Sequence, residues 1–182
     1  MPGRTTRTEI IAAAEHLFVE YGAASTLEEI AAEARISKGG LLYHFPSKEA
    51  LRSTVCQEVV DRLWRAVHSL VAAEDDGRPG ALLRAYVRAL TGDSAGAARV
   101  FQPSALPQLF HETPGTTDVL HEDAERWRAA FAADGIERAD CLVIRHSAEG
   151  AATAAGEGYI DGEELLIIRN RLLSMIDSTQ LR

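Results

Sequence analysis

A short basic segment lies near the start of an otherwise acidic sequence. Arg35, Lys38, Lys48 and Arg52 fall within eighteen residues, and Glu49 is the one acidic residue among them. Lysine and arginine neutralise phosphates, and such contacts supply much of the affinity of proteins for nucleic acids. Lys48 also falls in the first turn of a predicted helix, where free backbone amides favour an anion. The segment is therefore a candidate for contact with a phosphate backbone.

The residues between these basic side chains suit contact with a DNA groove. Lys38 can reach a phosphate, while Tyr43 and His44 offer an aromatic ring and a hydrogen-bonding edge. Gly39 and Gly40 carry no side chain, so the backbone could approach the sugar–phosphate wall closely. Of this set, Lys38, Tyr43 and His44 are the candidates for reading bases.

The charge of the whole chain argues against a nucleic-acid partner, but its distribution does not. The 182 residues carry a formal net charge of −8. Residues 1–52 hold six Lys/Arg and seven Asp/Glu, whereas the remaining 130 hold 13 and 20, so most of the excess negative charge lies outside the basic segment. A small basic face is enough for local phosphate contact.

Helical patterns position the candidate residues. Apolar residues recur at three- and four-residue spacing over 10–21 and predict a first helix. Ser25-Thr26-Leu27-Glu28 matches a capping box, with the serine oxygen as the cap and the glutamate three residues later, and predicts the start of a second helix. A third helix is expected over 37–45, ended by the following proline, and a long fourth helix over 47–73.

A three-residue turn between the second and third helices is typical of a helix-turn-helix, in which the third helix enters the major groove. An ordinary three-helix core with a solvated basic edge would show the same spacing. Spacing alone therefore leaves both interpretations open.

The order of several motifs is more specific evidence than the spacing of the helices. The segment from Arg7 to Val55 resembles the TetR (AcrR-like) family of transcriptional regulators, in the motifs Ile11-Ala12-Ala13-Ala14-Glu15-His16-Leu17-Phe18, Tyr21-Gly22, Ser25-Thr26-Leu27-Glu28-Glu29-Ile30-Ala31, Ser37-Lys38-Gly39-Gly40-Leu41-Leu42-Tyr43-His44-Phe45 and Ser47-Lys48-Glu49-Ala50-Leu51. The resemblance implies a dimeric, all-helical regulator that binds palindromic operator DNA and releases it when a small molecule enters the C-terminal domain. It departs from the family pattern at Gly40, where threonine is usual, and at Leu42, where tyrosine is frequent.

Carried over position by position, the resemblance implies that Thr26 contacts a phosphate at the start of the second helix. It also implies that Lys48 holds the backbone. Arg4 and Arg7 could reach the minor groove or flanking phosphates, or could belong to a mobile basic tail. The predicted DNA contacts are Thr26, Lys38, Gly39, Gly40, Tyr43, His44 and Lys48.

The rest of the chain predicts further helices and no strand, so the expected fold class is all-α. We expect a helix-turn-helix domain over 1–46 and a C-terminal helical domain over 47–182, in which 47–73 is the connecting helix. Further helices are expected near 82–90, over 119–133, and roughly over 137–159 and 161–175.

Six aromatic residues on these helices could be plain core or could line a pocket. Taken as a set with the resemblance, they favour a mainly apolar cavity for a small-molecule effector. Possible polar contacts are His111, Arg128 and His146. The predicted ligand-binding residues are Trp64, Tyr86, Phe101, Phe110, Trp127, Phe131 and His146.

The last two helices carry a strip of small residues and an apolar stripe. Two such helices from each subunit would form a four-helix bundle across a two-fold axis, although they could instead complete the core of one chain. The resemblance favours the homodimer. The predicted interface residues are Ala148, Ala152, Ala155, Leu165, Ile168 and Leu172, with Ala151, Gly156 and Ile176 nearby.

An enzyme is the alternative from another functional class. Residues 92–96 match Gly-x-Ser-x-Gly around Ser94, but that pattern needs a strand before the serine and a parallel sheet around it. The histidines show no metal-ligand spacing, so we expect neither a metal nor a cofactor. A third interpretation, favoured by Gly40 and Leu42, is a ligand-binding module that has lost DNA binding.

The compartment expected from the sequence is the cytoplasm. Cys56 and Cys141 lie far apart and are expected to be reduced core thiols. The N-terminus shows no signal-peptide pattern, and no apolar run reaches the length of a membrane-spanning helix, so we expect no membrane partner.

Overall fold

The structure, a computed structural model, describes residues 6–71, 75, 77–92 and 115–179. Within these ranges the chain is all-helical, which confirms the predicted fold class. The helices are α1 (Arg7–Tyr21), α2 (Leu27–Glu33), α3 (Lys38–His44), α4 (Lys48–Ser69), α5 (Ala81–Thr91), α6 (Thr116–Ala133), α7 (Arg138–Gly156) and α8 (Gly162–Thr179), with a 3-10 turn over Gly22–Ala24.

The chain divides into two compact units, and α4 and α6 contribute residues to both. Among the described residues, the first unit holds 6–60 and 115–122, and the second holds 61–71, 75, 77–92 and 123–179. This division follows contacts and not function, so the boundary between 46 and 47 stays a prediction.

Local caps fix where the short helices of the first unit begin. Thr6 and Thr26 each form a capping box with the glutamate three residues later, Glu9 and Glu29 respectively. The box of α2 therefore lies one residue later than predicted. Ser25 cannot be the cap because its side chain is buried and donates a hydrogen bond to the carbonyl oxygen of Gly22 (3.0 Å).

The turn between α2 and α3 is held by a residue in the left-handed conformation. Arg35 has φ +57°, which is uncommon for a residue with a Cβ. The amide of Ile36 bonds back to the carbonyl of Ala31 (2.9 Å), so the chain reverses tightly. Ser37 then caps α3 by accepting a hydrogen bond from the amide of Gly40 (3.0 Å).

The first unit is held by one apolar core. The largest fully buried side chains come from α1 to α4, namely Ile10, Phe18, Ile30, Leu41, Leu51 and Val55, and Val119 and Leu120 of α6 pack against them. Because Leu41 and Phe45 are anchored in this core, the opposite side of α3 must face outward. The core thereby determines which residues of α3 are available for binding.

The second unit packs α5, α7 and α8 around an apolar core that includes Leu83, Leu90, Ile144 and Ile176. A tight turn leads into α5. Gly80 has φ +78°, and a Cβ there would lie 2.6 Å from Cγ2 of Ile176. Only glycine fits at such a position without strain.

Polar side chains hold this turn against the rest of the second unit. Both carboxylate oxygens of Asp134 accept hydrogen bonds from the first turn of α5, from the amides of Leu82 (2.9 Å) and Leu83 (2.8 Å). Asp75 accepts hydrogen bonds from Arg84 (2.9 Å) and Arg88 (3.0 Å). Asp75 and Arg84 are both buried, so each compensates the charge of the other.

Candidate functional site

The outward face of α3 presents polar and aromatic side chains without cover from the first unit. The side chain of Tyr43 is 82% exposed, and its ring meets that of His44 edge-to-face with centroids 5.5 Å apart. Lys38 and Gly39 are exposed as well, while His44 and Gly40 are half-buried. A large aromatic ring held outward on a rigid helix is suited to binding. The structure thus brings the five predicted α3 residues onto or beside one accessible surface.

Lys38 already has a partner on this surface. Its ammonium group lies 2.6 Å from a carboxylate oxygen of Glu28 on α2, and both side chains are about half-exposed or more. The hydrogen bond from Lys38 holds the pKa of the Glu28 carboxyl below its ordinary value, so this carboxylate is ionised at neutral pH. A phosphate that recruits Lys38 must therefore compete with Glu28.

The two glycines of α3 are not required by the packing of this chain. A Cβ on Gly39 would meet only the hydroxyl oxygen of Ser37, at 3.9 Å. A Cβ on Gly40 would lie 3.4 Å from the same oxygen and 3.8 Å from Cβ of Ile36, which are ordinary contacts. The absence of side chains here leaves the first turn of α3 open to close approach from outside.

Thr26 is exposed at the start of α2, but its hydroxyl is engaged in the cap. It accepts a hydrogen bond from the amide of Glu29 (3.2 Å) and donates one to the Glu29 carboxylate (2.8 Å). The amide of Thr26 donates to the same carboxylate (2.7 Å). The Glu29 side chain thus occupies the place an anion would take at this helix N-terminus.

Lys48 lies in the first turn of α4 and is half-buried. Burial, and to a smaller extent the neighbouring charge of Arg52, lower the pKa of the Lys48 ammonium group.

Arg7 packs its guanidinium group 5.0 Å from the ring centroid of Phe45, so it is not part of a mobile tail. Arg4 lies outside the described residues.

Four of the predicted ligand-binding aromatics lie together in the second unit. Trp127 is the centre: its ring centroid is 4.7 Å from Trp64, 5.1 Å from Tyr86 and 5.4 Å from Phe131. Tyr86, Trp127 and Phe131 are buried and belong to the core, whereas Trp64 is half-buried. Phe101, Phe110 and His111 lie outside the described residues.

A polar network is attached to this aromatic cluster. The hydroxyl of Tyr86 donates to the Glu149 carboxylate (2.8 Å), which also bonds Nε of Arg145 (2.9 Å) and Nδ1 of His146 (2.8 Å). Burial and the charge of Glu149 raise the pKa of the Tyr86 phenol, which therefore stays protonated and donates. His146 is exposed, so the network runs from the buried cluster to the surface of α7.

A cleft of about 360 Å³ opens between the end of α6 and the start of α7. Its walls combine apolar side chains (Phe131, Ile136 and Leu142) with three arginines (Arg128, Arg138 and Arg145). The sequence analysis considered Arg128 and missed the other two, because only the tertiary structure brings Arg138 and Arg145 to the same cleft as Arg128.

The predicted dimer residues are largely used within the chain itself. Ala148 and Ala152 have no exposed surface and Leu172 is 5% exposed, so these three side chains already pack within the chain, and their contact with a partner stays a prediction. They pack in the core of the second unit. Ala155, Leu165 and Ile168 are half-buried and keep some surface.

Other apolar residues on the same two helices are exposed: Leu142 and Val143 on α7, and Leu166 and Ile167 on α8. Their signal in the sequence is the run of four apolar residues at 141–144 and again at 165–168. Such a run must place apolar side chains on opposite sides of a helix, because successive residues are 100° apart. In the first run Cys141 and Ile144 are buried, in the second Leu165 and Ile168 are half-buried, and the residues between them are exposed.

Other chemistry finds little support in the described part of the chain. No group of three His, Cys, Asp or Glu side chains there could hold a metal ion. Cys56 and Cys141 are buried and free of disulfides, as expected. Ser94 lies outside the described residues. No helix in the described ranges has the length and apolar character needed to cross a membrane.

Two family models match the chain. The model described as bacterial regulatory proteins of the tetR family matches residues 10–55. The model described as a tetracyclin repressor-like C-terminal domain matches residues 80–177. The first match contains every predicted DNA contact, and the second contains α5 to α7 and most of α8.

Known proteins resemble the chain in sequence and in fold. The HTH-type transcriptional regulator RutR of Escherichia coli K12 is 35% identical over 133 residues, which are 69% of this chain and 61% of RutR. The match thus spans about three fifths of that relative. A transcriptional regulator from Rhodococcus sp. Rha1 superposes with a TM-score of 0.75 at 21% identity, covering 94% and 96% of the two chains. The multidrug binding protein EbrR, complexed with imidazole, gives a TM-score of 0.63 at 23% identity, covering 91% and 93%.

Proposed function

The chain belongs to the TetR family of bacterial regulatory proteins, and from this premise we propose that it is a sequence-specific DNA-binding transcriptional regulator, a ligand-responsive repressor that binds a palindromic operator as a homodimer in the cytoplasm. The observation that carries the proposal is the outward face of α3, where Tyr43 stands exposed beside Lys38 and His44. The family is one of regulators and not of enzymes, so the interpretation of Ser94 as a nucleophile is not retained.

In this proposal α3 lies in the major groove and α2 crosses the phosphate backbone. Tyr43 and His44 contact base edges, and Lys38 contacts a base edge or a phosphate after leaving Glu28. The open first turn of α3, at Gly39 and Gly40, approaches the sugar–phosphate wall. Lys48 contacts a phosphate at the start of α4, and Thr26 contacts one at the start of α2 after the Glu29 carboxylate leaves the cap.

A second copy of the chain covers the exposed apolar residues of α7 and α8. Leu142 and Val143 on α7 and Leu166 and Ile167 on α8 are exposed on two helices that pack against each other, and the same helix pair of a second copy can cover them in a four-helix bundle. Dimerisation also serves DNA binding, because two recognition helices about 34–36 Å apart enter successive major grooves.

A small molecule bound in the second unit regulates the operator complex. The support for an effector is the family's C-terminal domain together with the cleft between α6 and α7. Because α4 contributes residues to both units, a shift of this helix on binding would change the separation of the two α3 helices. The effector acts only through its different affinities for the operator-bound and free conformations.

Selection of bound duplexes from a random DNA library, at near-physiological salt, tests the proposal. The full chain is compared with the double variant Tyr43→Ala/Lys48→Ala and with a matched control, Tyr159→Ala, because Tyr159 is 81% exposed and lies far from α3 in the sequence. We expect an inverted repeat to be enriched by the chain and by the control variant but not by the double variant. Absence of enrichment from all three would refute DNA binding and would favour the ligand-binding module.

A further inference from the structure

The cleft between α6 and α7 combines an apolar wall with an excess of positive charge. Phe131, Ile136 and Leu142 give the apolar wall, and Arg128, Arg138 and Arg145 give the charge. No acidic side chain lines the cleft among the residues that the structure describes. A neutral apolar ligand would not need three guanidinium groups, and burying them under one would cost free energy.

The three arginines differ in how far their charges are already balanced. Arg145 is committed to Glu149, with Nε 2.9 Å from the carboxylate. Arg128 pairs with Glu125 at 3.7 Å, and both side chains are more than 60% exposed, so this ion pair is weak. Within the described ranges no carboxylate pairs with Arg138. Arg128 and Arg138 are therefore available to an incoming anion.

The volume of the cleft limits the size of the ligand. About 360 Å³ is at the low end of small-molecule sites, which typically measure roughly 300–1,000 Å³. Phe131 is 5% exposed, because its ring stacks on that of Trp127 and carries the guanidinium group of Arg145 5.4 Å from its centroid. The more accessible apolar contacts are Ile136 and Leu142, so an apolar body of modest size can lie against these two side chains while its acidic group points toward the arginines.

We infer that the effector is a small anionic amphiphile: a carboxylate, or an acid of similar charge, on a compact apolar body. This inference rests on the proposed function, since it takes the cleft as the effector site. It replaces the mainly apolar effector expected from the sequence. Guanidinium groups bind carboxylates with charge-assisted hydrogen bonds, which are about twice as strong as neutral ones.

A chain of hydrogen bonds connects the cleft to the surface of α7, so binding in the cleft can affect that surface. Arg145 lines the cleft and bonds Glu149, and Glu149 bonds His146 on the exposed side of α7. An anion that draws Arg145 toward the cleft weakens the hold of Arg145 on Glu149. The hydrogen bond to His146, on the exposed side of α7, then changes as well.

The test measures binding of 4-phenylbutyrate by the full chain without DNA, followed by the fluorescence of Trp127 and Trp64 and by calorimetry. The neutral isostere 4-phenylbutanamide tests the need for charge, and acetate tests whether an anion suffices without an apolar body. The variant Arg128→Gln/Arg138→Gln removes the two available charges. Arg65→Gln is the matched control, because Arg65 is an exposed arginine of the second unit that does not line the cleft.

We expect the carboxylate to bind at least roughly tenfold more tightly than the amide, and the double variant to lose about that factor, as the loss of hydrogen bonds to a charged group implies. Arg65→Gln should bind as the unmodified chain does, and acetate should not compete. Equal binding of the two probes, equal binding by the double variant, competition by acetate, or no binding of the carboxylate up to its solubility limit would each overturn the inference.

The experiments distinguish failure of the proposed regulator from failure of the anionic effector, because the duplex selection is performed without any carboxylate probe. An enriched operator together with no preference for the carboxylate overturns the anionic effector alone. A carboxylate preference that depends on Arg128 and Arg138, with no enriched duplex, supports the cleft as a binding site and overturns the proposed regulator.

Discussion

Replacing Tyr43 should weaken DNA binding without loss of folding stability, because its side chain is exposed. Its neighbour Phe45 is buried, so replacing Phe45 should instead reduce folding stability. The Tyr43 side chain is 82% exposed, whereas that of Phe45 is 2% exposed in the core of the first unit. Tyr43→Ala removes little beyond an edge contact with His44, so we expect the free energy of unfolding to change by less than about 0.5 kcal/mol. Phe45→Ala deletes a buried ring and should cost about 3–5 kcal/mol.

The effect of Tyr43→Ala on operator binding should be much larger. A side chain that reads a base contributes about 1–3 kcal/mol of discrimination. A dimer loses the contact in both half-sites, so operator binding should weaken by about 2–6 kcal/mol, which is roughly 30- to 20,000-fold in Kd. Binding to an unrelated duplex depends on phosphate contacts and should hardly change. The variant Tyr43→Phe keeps the ring and removes the hydroxyl, so its operator affinity shows how much each of them contributes.

Fluorescence anisotropy with labelled operator and unrelated duplexes measures the two affinities at one salt concentration, and thermal unfolding measures stability. The reasoning is refuted if Tyr43→Ala keeps the affinity of the unmodified chain for the operator. It is refuted as well if the variant loses stability as Phe45→Ala does, since Tyr43 would then belong to the core.

Three further predictions concern the backbone contact, the buried ion pair and the turn before α5. Lys48→Ala should weaken binding to every duplex and lower the slope of log K against log salt by about two, one for each subunit of the dimer, as a salt titration would show; an unchanged slope would exclude the phosphate contact. Asp75→Asn should destabilise the fold by about 1–3 kcal/mol in urea unfolding, because the buried Arg84 loses its closest carboxylate and keeps only the longer pair with Asp177 (3.4 Å). Burial alone would raise the pKa of Asp75, but the hydrogen bond from Arg88 and the charge of Arg84 hold this pKa below 3.8. The stability that Asp75 contributes is therefore present above about pH 3.8 and is lost as the pH falls through the lower pKa of the folded state. An acid titration in which Asp75→Asn loses as much stability as the unmodified chain would contradict this prediction. Gly80→Ala should lower the free energy of unfolding by about 2–5 kcal/mol, because the backbone is left-handed and the new Cβ would lie 2.6 Å from Ile176. Gly77→Ala is the control: its backbone is also left-handed but has open space around it, so urea unfolding should show a loss of only about 1–2 kcal/mol. Equal losses in the two variants would mean that the clash with Ile176 relaxes at no cost.

The sequence was sufficient for the helix-turn-helix because the signals there act over short distances. A capping residue and its glutamate lie three positions apart, and the interactions that define a helical turn span four. The serine cap of α3, the three-residue turn before it and the proline after Phe45 are all readable from neighbouring residues. Even so, the cap of α2 lies at Thr26 and not at Ser25, because burial of Ser25 depends on the packing of α1 against α2.

The functional surfaces of the second unit could not be read in the same way. Helical periodicity predicts that α7 and α8 have apolar sides, but a run such as 141–144 or 165–168 is apolar on two sides. Which side fills the core depends on where α5 packs, and this contact is remote in sequence. Packing decided that Ala148 and Leu172 are core and that Val143 and Ile167 are exposed.

The sequence by itself determined the all-helical fold, the DNA-binding motif and the family, because helix periodicity, caps and motif order are local properties of the chain. Only the tertiary structure decided which arginines meet in one cleft, that Lys38 is held by Glu28, and that Glu149 joins Tyr86 to His146. Those arrangements depend on how helices pack across tens of residues or on which way a side chain turns, and the same apolar and charged pattern is compatible with several such packings.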